Sequence, residues 1–489
     1  MGKKFKLFVF CLIISFCCYG LFLNAHYSGD SYSAFYESNR GDAMIQLINA
    51  RYVNYFIWKV LSILGINPVV HQGFFSLFLI VIIAISSYKL SDYTFTLIDE
   101  KNHNMYVVVI MFAIAFCNPY VLQWFLCPEM TLFYGISLIS VVGATLIWND
   151  EDANNIFRIT ATFVLFCISL CSYQASMPFF VIFSILFFII KNEFKVCNKL
   201  LRKISSTIIL AFLGCVMLMV SQKIIDLGGR QASMDIQTML ANFKILFQKQ
   251  PDYFWNGDGY YLVGLLIVSM AVLVAIFLFL LIKKGIKTGI ILFIPLLMGY
   301  ALIFAPHLVS ESMWLAPRTL AAFFSIFSVL LLLSYSLSNG YEEKLCRYLL
   351  QLTAVVLIVS NIFMVNSIGV YSFASNILDF EHVVEIQRYI EKYERETGKI
   401  VTKIAACYDK NPTYAYKGIK YAYYDTNTSG LAADWSDVNA INFYNGKNYE
   451  RVNVQTLGLP QEMFEKDWDY FDAEEQLKFI EDTLVWIKY

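Results

Sequence analysis

The sequence predicts a polytopic α-helical membrane protein of about eleven transmembrane helices, with a small extracytoplasmic α/β domain at its C-terminus. Three observations lead there. The chain is 58% hydrophobic, 17% aromatic and only 15% charged, where a soluble domain is about 45–50% apolar and about 25% charged. Apolar runs of roughly 17–25 residues, the length that crosses a bilayer, recur as far as residue 368. Beyond about residue 370 the pattern turns charged, amphipathic and alternating. The formal net charge of −1 gives no basic excess, so no nucleic-acid partner is expected.

The first predicted span is 5–23 (FKLFVFCLIISFCCYGLFL), preceded by Lys3, Lys4 and Lys6. No small-x-small cleavage site follows, so it reads as an uncleaved helix rather than a signal peptide. Further spans are predicted near 72–90, 105–122, 129–148, 156–173, 175–190, 204–222, 260–282, 288–305, 318–338 and 347–368. Segment 42–64 is apolar but carries Asp42, Arg51 and Lys59. That mixture predicts a helix lying in the interface rather than a twelfth span. The run over 156–190 is split at Tyr173-Gln174-Ala175-Ser176-Met177-Pro178. The residue before a proline is pushed off helix, and the two polar groups there need water or a partner, so a tight hairpin is predicted.

Orientation follows from lysine and arginine. The N-terminus, the 191–203 loop (Lys191, Lys195, Lys199, Arg202, Lys203), the 283–287 loop (Lys283, Lys284, Lys287) and the 344–347 loop (Lys344, Arg347) fall on one side if there are eleven spans. That side is expected to be the cytoplasm. Loops 91–104 and 149–155 fall there too and are acidic, but acids count little in this rule. Segments 24–71, 223–258, 306–317 and the tail are then outside.

Residues 1–369 are accordingly expected to form the membrane domain and 370–489 the extracytoplasmic one. In the tail, Asp379 to Glu396 reads as an amphipathic helix stopped by Gly398, and Ile400–Cys407 as a strand. Tyr414–Tyr424 and Val438–Tyr444 read as further strands, Asp469–Ile480 as a helix and Thr483–Lys488 as a last strand. Of the eleven cysteines, most lie in or at the ends of spans, where a free thiol behaves as a small hydrophobe. No zinc spacing is present.

Ionisable groups at the ends of spans are costly and point to function. Asp30 follows the first span; Glu129 follows Asn118-Pro119-Tyr120 and opens the fourth. Tyr173 and Gln174 sit at the hairpin, His307 precedes the tenth span and Arg318 opens it. All are placed on the outer side. Each also has a plainer reading. Asp30 is then a solvated loop acid or helix cap, and Glu129 a first-turn acid suited to the helix dipole. Arg318 becomes a head-group anchor and Arg51 a contact for anionic lipid. His307 becomes structural, and Gln174 a hydrogen bond between helices.

Together these residues suit transfer of a sugar from a lipid phosphate. Such a reaction needs a carboxylate to take the acceptor's proton and cations to hold the leaving phosphate, which arginine does bidentately. It also needs a surface at the head-group plane. Asp30 supplies the first, Arg51 and Arg318 the second, and the aromatic-rich 44–64 segment the third.

The order of Gly29-Asp30, Arg51, Asn118-Pro119-Tyr120 leading to Glu129, Tyr173-Gln174-Ala175-Ser176, and Pro306 with Arg318 resembles the bacterial O-antigen serotype-converting membrane glucosyltransferases (Gtr, glucosyltransferase type II), within the GT-C architecture. The resemblance spans roughly 1–370. It implies an undecaprenyl-phosphate sugar donor, usually glucose, a surface polysaccharide acceptor, and the outer face of a bacterial inner membrane. A dedicated flippase and a donor-synthesising enzyme are implied partners. Asp30 and Glu129 become the catalytic acids. Arg51, Arg318 and His307 become phosphate ligands, and Asp42, Tyr173 and Gln174 the sugar or acceptor contacts. That family often carries two acids in the first loop and an aspartate where Glu129 stands; here Gly29 takes the first place and leaves Asp30 alone. No multi-carboxylate cluster of the kind Mg²⁺ shares with phosphate is present, so no protein-held metal or cofactor is expected.

Three rival readings compete. A flippase or transporter puts charges at mid-membrane and shows repeated halves, neither of which is visible. A polysaccharide polymerase has its large outer loop between spans rather than at the C-terminus. An acyltransferase wants a His–Asp pair, for which His26 and Asp30 are the candidates.

Overall fold

The structure, a computed structural model, describes residues 2–36, 41–98, 103–195, 197–225, 235–251, 262–310, 313–338, 343–422, 426–458, 465–468 and 470–488. Helix α1 (Lys3–Tyr19) leads into α2 (Gly29–Tyr36), α3 (Gly41–Ile48) and α4 (Tyr52–Ile63). The bundle continues with α5 (Gln72–Leu97), α6 (Met105–Phe116), α7 (Pro119–Leu126), α8 (Thr131–Asn149), α9 (Asn155–Ser172), α10 (Met177–Lys191) and α11 (Asn198–Ile225). It ends with α12 (Ile236–Pro251), α13 (Val263–Lys284), α14 (Ile286–Leu308), α15 (Ser325–Leu337) and the 54-residue α16 (Lys344–Thr397).

Among the described residues nine helices are long and apolar enough to cross a membrane, or ten if the pair α6 and α7, bent by 58°, is one span. The chain is therefore a polytopic helical membrane protein. The expected count was eleven. The third expected span is that bent pair, and the ninth falls in α14, of which Leu297–Leu308 forms a shorter apolar helix. Burial sorts the bundle: in their most apolar 18-residue stretches, 89% of the residues of Gln174–Lys191 and of Pro317–Leu337 are buried, against 28% in α11. A helix that is apolar all round and enclosed by protein belongs at the centre; one that is apolar and uncovered faces lipid.

The charged loops meet at one end. Glu151 takes Lys191 at 3.4 Å, Lys199 at 3.0 Å and Lys203 at 3.8 Å, while Lys4 reaches Asp92 at 3.4 Å and Lys283 reaches Glu343 at 3.3 Å. The acidic loops that sat awkwardly among basic ones are thus their partners.

The expected interfacial helix over 42–64 is two helices, α3 and α4, parted at Ala50, whose φ of 56° is left-handed. Phe56, Ile63 and Leu64 stay exposed on α4, as an interfacial helix requires. Helix α12, which the sequence left inside an outer loop, is a second of this type. Ile236, Leu240, Phe243 and Phe247 form an exposed stripe at helical spacing, and Asn242 on another face caps α14 through the carbonyls of His307, Leu308 and Ser310.

Helix α16 does not stop at the membrane. At 1.5 Å per residue its 54 residues span roughly 80 Å, far more than a hydrocarbon core of about 30 Å. The expected break near 370 is absent, and the helix runs on to Gly398 at φ 71°, the left-handed stop the sequence signalled. Its far half packs Val383, Ile386 and Ile390 against a second apolar cluster with Ile404, Ile441, Leu484 and Trp486.

That cluster backs a four-stranded sheet of β1 (Lys403–Tyr408), β2 (Glu450–Arg451), β3 (Leu477–Ile480) and β4 (Thr483–Lys488), in the order β2-β1-β4-β3. Strand β1 is parallel to β2 and β4, and pairs Lys403 with Thr483 through Tyr408 with Lys488; β3 and β4 form an antiparallel hairpin. The first and last expected strands are found. Val438–Tyr444 is instead helix α17 (Asp437–Asn445), begun by an acid in its first turn and ended by Gly446 at φ 62°. Asp469–Ile480 gives only one helical turn, α18 (Ala473–Gln476), before β3. No strand is found in 414–422, and 423–425 lie outside the described residues.

Candidate functional site

The site begins with a broken span. Proline cannot donate the N–H a continuing helix needs, so α6 ends before Pro119, and Asn118 is extended at φ −156° and ψ 163°. A break in an apolar bundle exposes carbonyls that no water meets. Here each is met. Asn118 Nδ2 donates to Ile114 O at 3.2 Å and Ala115 O at 2.9 Å. The Tyr19 hydroxyl lies 2.8 Å from Phe116 O and 3.0 Å from Asn118 O. Asn361 Nδ2 donates to Cys117 O at 3.0 Å. Asn118 Oδ1 then caps α7 by accepting from Tyr120 N and Val121 N.

The bend lets α7 carry Gln123 and Trp124 across to Arg318. The backbone N–H of Arg318 donates to Gln123 Oε1 at 2.8 Å, and Trp124 Nε1 donates to Arg318 O at 3.3 Å. Gln123 Nε2 donates in turn to Thr426 Oγ1 of the C-terminal region. Trp124 stacks on Tyr134 with ring centroids 5.2 Å apart, and both meet Tyr173 edge-on, at 6.0 and 4.7 Å. The Arg51 guanidinium lies over the Tyr173 ring at 5.4 Å. The two arginines, 267 positions apart in sequence, thus converge on one aromatic cluster. Arg51 Nε is buried with no hydrogen-bond partner among the described residues. A buried donor of that kind is costly and suits an anion site.

The two expected acids are brought together through neighbours in one turn. Ser31 Oγ donates to Glu129 Oε2 at 2.9 Å. Asp30, beside Ser31 in the first turn of α2, is exposed and accepts from Trp435 Nε1 at 3.0 Å. Glu129 is buried. An exposed carboxylate at a helix start, where the dipole favours its charge, can meet a substrate hydroxyl. A buried one held by a serine fixes the turn that presents it.

The remaining expected residues divide. Gln174 Nε2 donates to Asn49 O at 3.1 Å, and Asn54 Nδ2 donates to Ser172 O at 2.9 Å; together they lock α3 and α4 onto the hairpin. His307 ends α14, buried, with its ring against the Thr319 backbone and Nε2 without a hydrogen-bond partner among the described residues. Asp42 lies in α3, but its side chain falls outside the described residues. A cavity of about 350 Å³ opens between Leu23, Tyr27, Phe35, Val70, Gln72 and Phe443, where α1 emerges.

Sequence reasoning missed Gln123, Trp124, Tyr134 and Trp435. A lone glutamine inside an apolar run was a usable signal for the first; nothing marked the others.

The C-terminal region closes over these residues. Asp379, on the projecting half of α16, accepts from Tyr416 and Ser429 hydroxyls at 2.6 Å each and from Gly430 N at 2.9 Å. Burial pushes its carboxyl up, against the pull of those donors. Lys488, buried at the end of β4, donates to Asp434 at 3.0 Å and Asp437 at 2.8 Å, and Arg451 Nε meets Asp437 at 3.1 Å. The loop bearing Trp435 is therefore tied at both ends.

No curated protein and no solved structure matches this chain. The family model of Glucosyl transferase GtrII matches residues 19–335, which hold every expected site residue from Asp30 to Arg318. With about two-thirds of its length matched, the chain belongs to the GtrII glucosyl transferase family.

Proposed function

We propose that this glucosyltransferase moves glucose from a polyprenyl-phosphate carrier to a surface polysaccharide such as O-antigen, on the outer face of a bacterial cytoplasmic membrane, with the GT-C architecture. The observation that carries this reading is that one aromatic cluster, Tyr134–Tyr173–Trp124, holds Arg51 by its guanidinium over Tyr173 and Arg318 by its backbone on Trp124. That cluster lies at the helix ends opposite the paired charged loops, as does Glu129 with its Ser31 bond to the Asp30 turn. The N-terminus and those loops are then cytoplasmic, and the region from 370 is a folded extracytoplasmic unit. A flippase and a donor-synthesising enzyme supply the carrier.

The acceptor oxygen attacks C1 of the glucose, and the bond from C1 to the phosphate oxygen breaks. The acceptor's proton passes to Asp30, and the pair of electrons leaves with the phosphate. Arg51 and Arg318 face the growing negative charge, with His307 beside the Arg318 turn. Stabilisation of charge that develops only in the transition state raises turnover rather than ground-state binding. The buried Glu129 orients the α2 turn through Ser31, and Tyr173 walls the site.

Asp30→Asn keeps size and removes the base. With purified protein and a radiolabelled polyprenyl-phosphate glucose, turnover is expected to fall by roughly 10²–10⁴, with unchanged membrane insertion. Wild-type turnover by a well-folded Asp30→Asn protein would refute the base assignment. Translocation of the labelled lipid without glucose transfer would replace the enzyme reading with that of a flippase.

A further inference from the structure

Asp30 and Trp435 are 405 residues apart, and Trp435 lies beyond the stretch that the family model covers. Its indole N–H nevertheless reaches Asp30 Oδ1 at 3.0 Å. The residue is 62% exposed, so apolar burial does not explain its place. A core tryptophan hides its ring and seeks any acceptor for its N–H; this one shows its ring and gives its single polar atom to one carboxylate.

The surrounding contacts hold that pose. Ser33 Oγ donates to Trp435 O at 2.7 Å, joining the loop to α2 one turn beyond Asp30. Ser436 Oγ donates to Gly430 O at 2.6 Å, closing the loop on itself. A Cβ at Gly29 would lie 3.1 Å from Ser436 Oγ and 3.7 Å from Trp435 Nε1. The loop thus comes so close to the start of α2 that a side chain at 29 would press on it. A neutral donor also differs from a cation in kind. It fixes the direction of a carboxylate by a hydrogen bond and brings no charge of its own.

We infer that Trp435 is a positioning residue for Asp30 and that its exposed ring is the platform on which the incoming sugar rests, so that the C-terminal loop 430–437 completes the active site. The inference rests on the reading of Asp30 as the base. Its ligand is a pyranose, whose C–H face packs on an indole while its hydroxyls stay in water.

The test uses the full-length protein in proteoliposomes, radiolabelled polyprenyl-phosphate glucose as donor, and surface polysaccharide purified from the source strain as acceptor. Trp435→Phe keeps a ring and removes the N–H. Its kcat is expected to fall about tenfold, the scale of a hydrogen bond to a charged group, with the donor KM unchanged. Trp435→Ala removes the platform as well and should add a rise of about fivefold or more in acceptor KM. In an Asp30→Asn background, Trp435→Phe should cause no further loss of kcat, because it acts through Asp30. Wild-type kcat for Trp435→Phe, or a full additional loss in the double variant, overturns the inference while leaving Asp30 as the base. Wild-type turnover by Asp30→Asn alone fails the underlying reading instead. If Trp435→Ala does not fold, Trp435→Phe and the double variant still decide.

Discussion

At the break between α6 and α7, the carbonyls of residues 114–118 are met by two asparagines and a tyrosine. In the loop 430–437 of the C-terminal region, Lys488 and Arg451 are set against Asp434 and Asp437. Both places hold buried polar groups, Asn118 and its carbonyls in one and Lys488 with Asp437 in the other, the first with neutral donors and the second with charges. The difference follows the surroundings. Inside a bundle an ion costs far more than an amide, and a neutral network suffices. Near an aqueous surface a charged network is tolerated, and it fixes geometry more firmly. Each region therefore fails in its own way when a partner is removed.

The largest effect is expected at Lys488. Lys488→Met keeps volume and strands Asp437, which is fully buried. Arg451 still contacts that acid, so the cost should lie near the low end for breaking a buried pair, about 3 kcal/mol. Limited proteolysis or hydrogen exchange should show residues 430–437 opening while the bundle stays intact, and turnover should fall because Trp435 is no longer held. Full protection of the loop in this variant would mean that Arg451 alone fixes it.

A smaller effect is expected at Asn118. Asn118→Ala removes the α7 cap and the donors to Ile114 and Ala115, a cost of about 2 kcal/mol. It should lower the melting temperature of the detergent-solubilised protein and leave the C-terminal loop protected. Because α7 carries Gln123 to the Arg318 backbone, donor KM should rise as well. A melting temperature equal to wild type would show that Tyr19 and Asn361 satisfy the break by themselves.

How far the sequence revealed these features depended on how local their causes are. Apolar runs encode spans residue by residue, so most helices of the bundle lie where they were expected. The Pro119 break was hidden because the run around it stays apolar, and the bend depends on Asn118 meeting Tyr19 and Asn361 far along the chain. In the tail, Thr483–Lys488 was legible from its alternation. Val438–Tyr444 fits periods of both two and three to four, and the first-turn acid Asp437 with the C-cap Gly446 decided for helix. The segment before β4 became a hairpin strand because it pairs with β4, a tertiary cause that no local pattern carries. The site behaved likewise. Asp30, Arg51 and Arg318 stood out as charges at span ends. The contacts that tie the arginines to the aromatic cluster, and the indole on Asp30, reach across more than a hundred residues.

The smallest effect separates the two acids of the charged loop. Asp434 shares Lys488 and Arg451 with Asp437, but its side chain is 53% exposed, whereas that of Asp437 is fully buried. Partial burial works against ionisation of Asp434, yet the hydrogen bond and charge of Lys488 outweigh it and hold the carboxyl below its ordinary value of 3.8. A carboxylate lowered in this way contributes stability above its unfolded value and loses it only as the pH falls through the lower folded value. Protection of the loop should therefore be flat from about pH 5 upward, where both states are ionised. Water screens the exposed side of this pair, so Asp434→Asn should cost under about 1 kcal/mol and leave Trp435 in place. Hydrogen exchange on 430–437 at pH 7 should then resemble wild type, in contrast to Lys488→Met. Equal loss of protection in the two variants would show that the exposed acid, not the buried one, fixes the loop. The difference between the bundle's neutral network and this charged one would then owe nothing to burial.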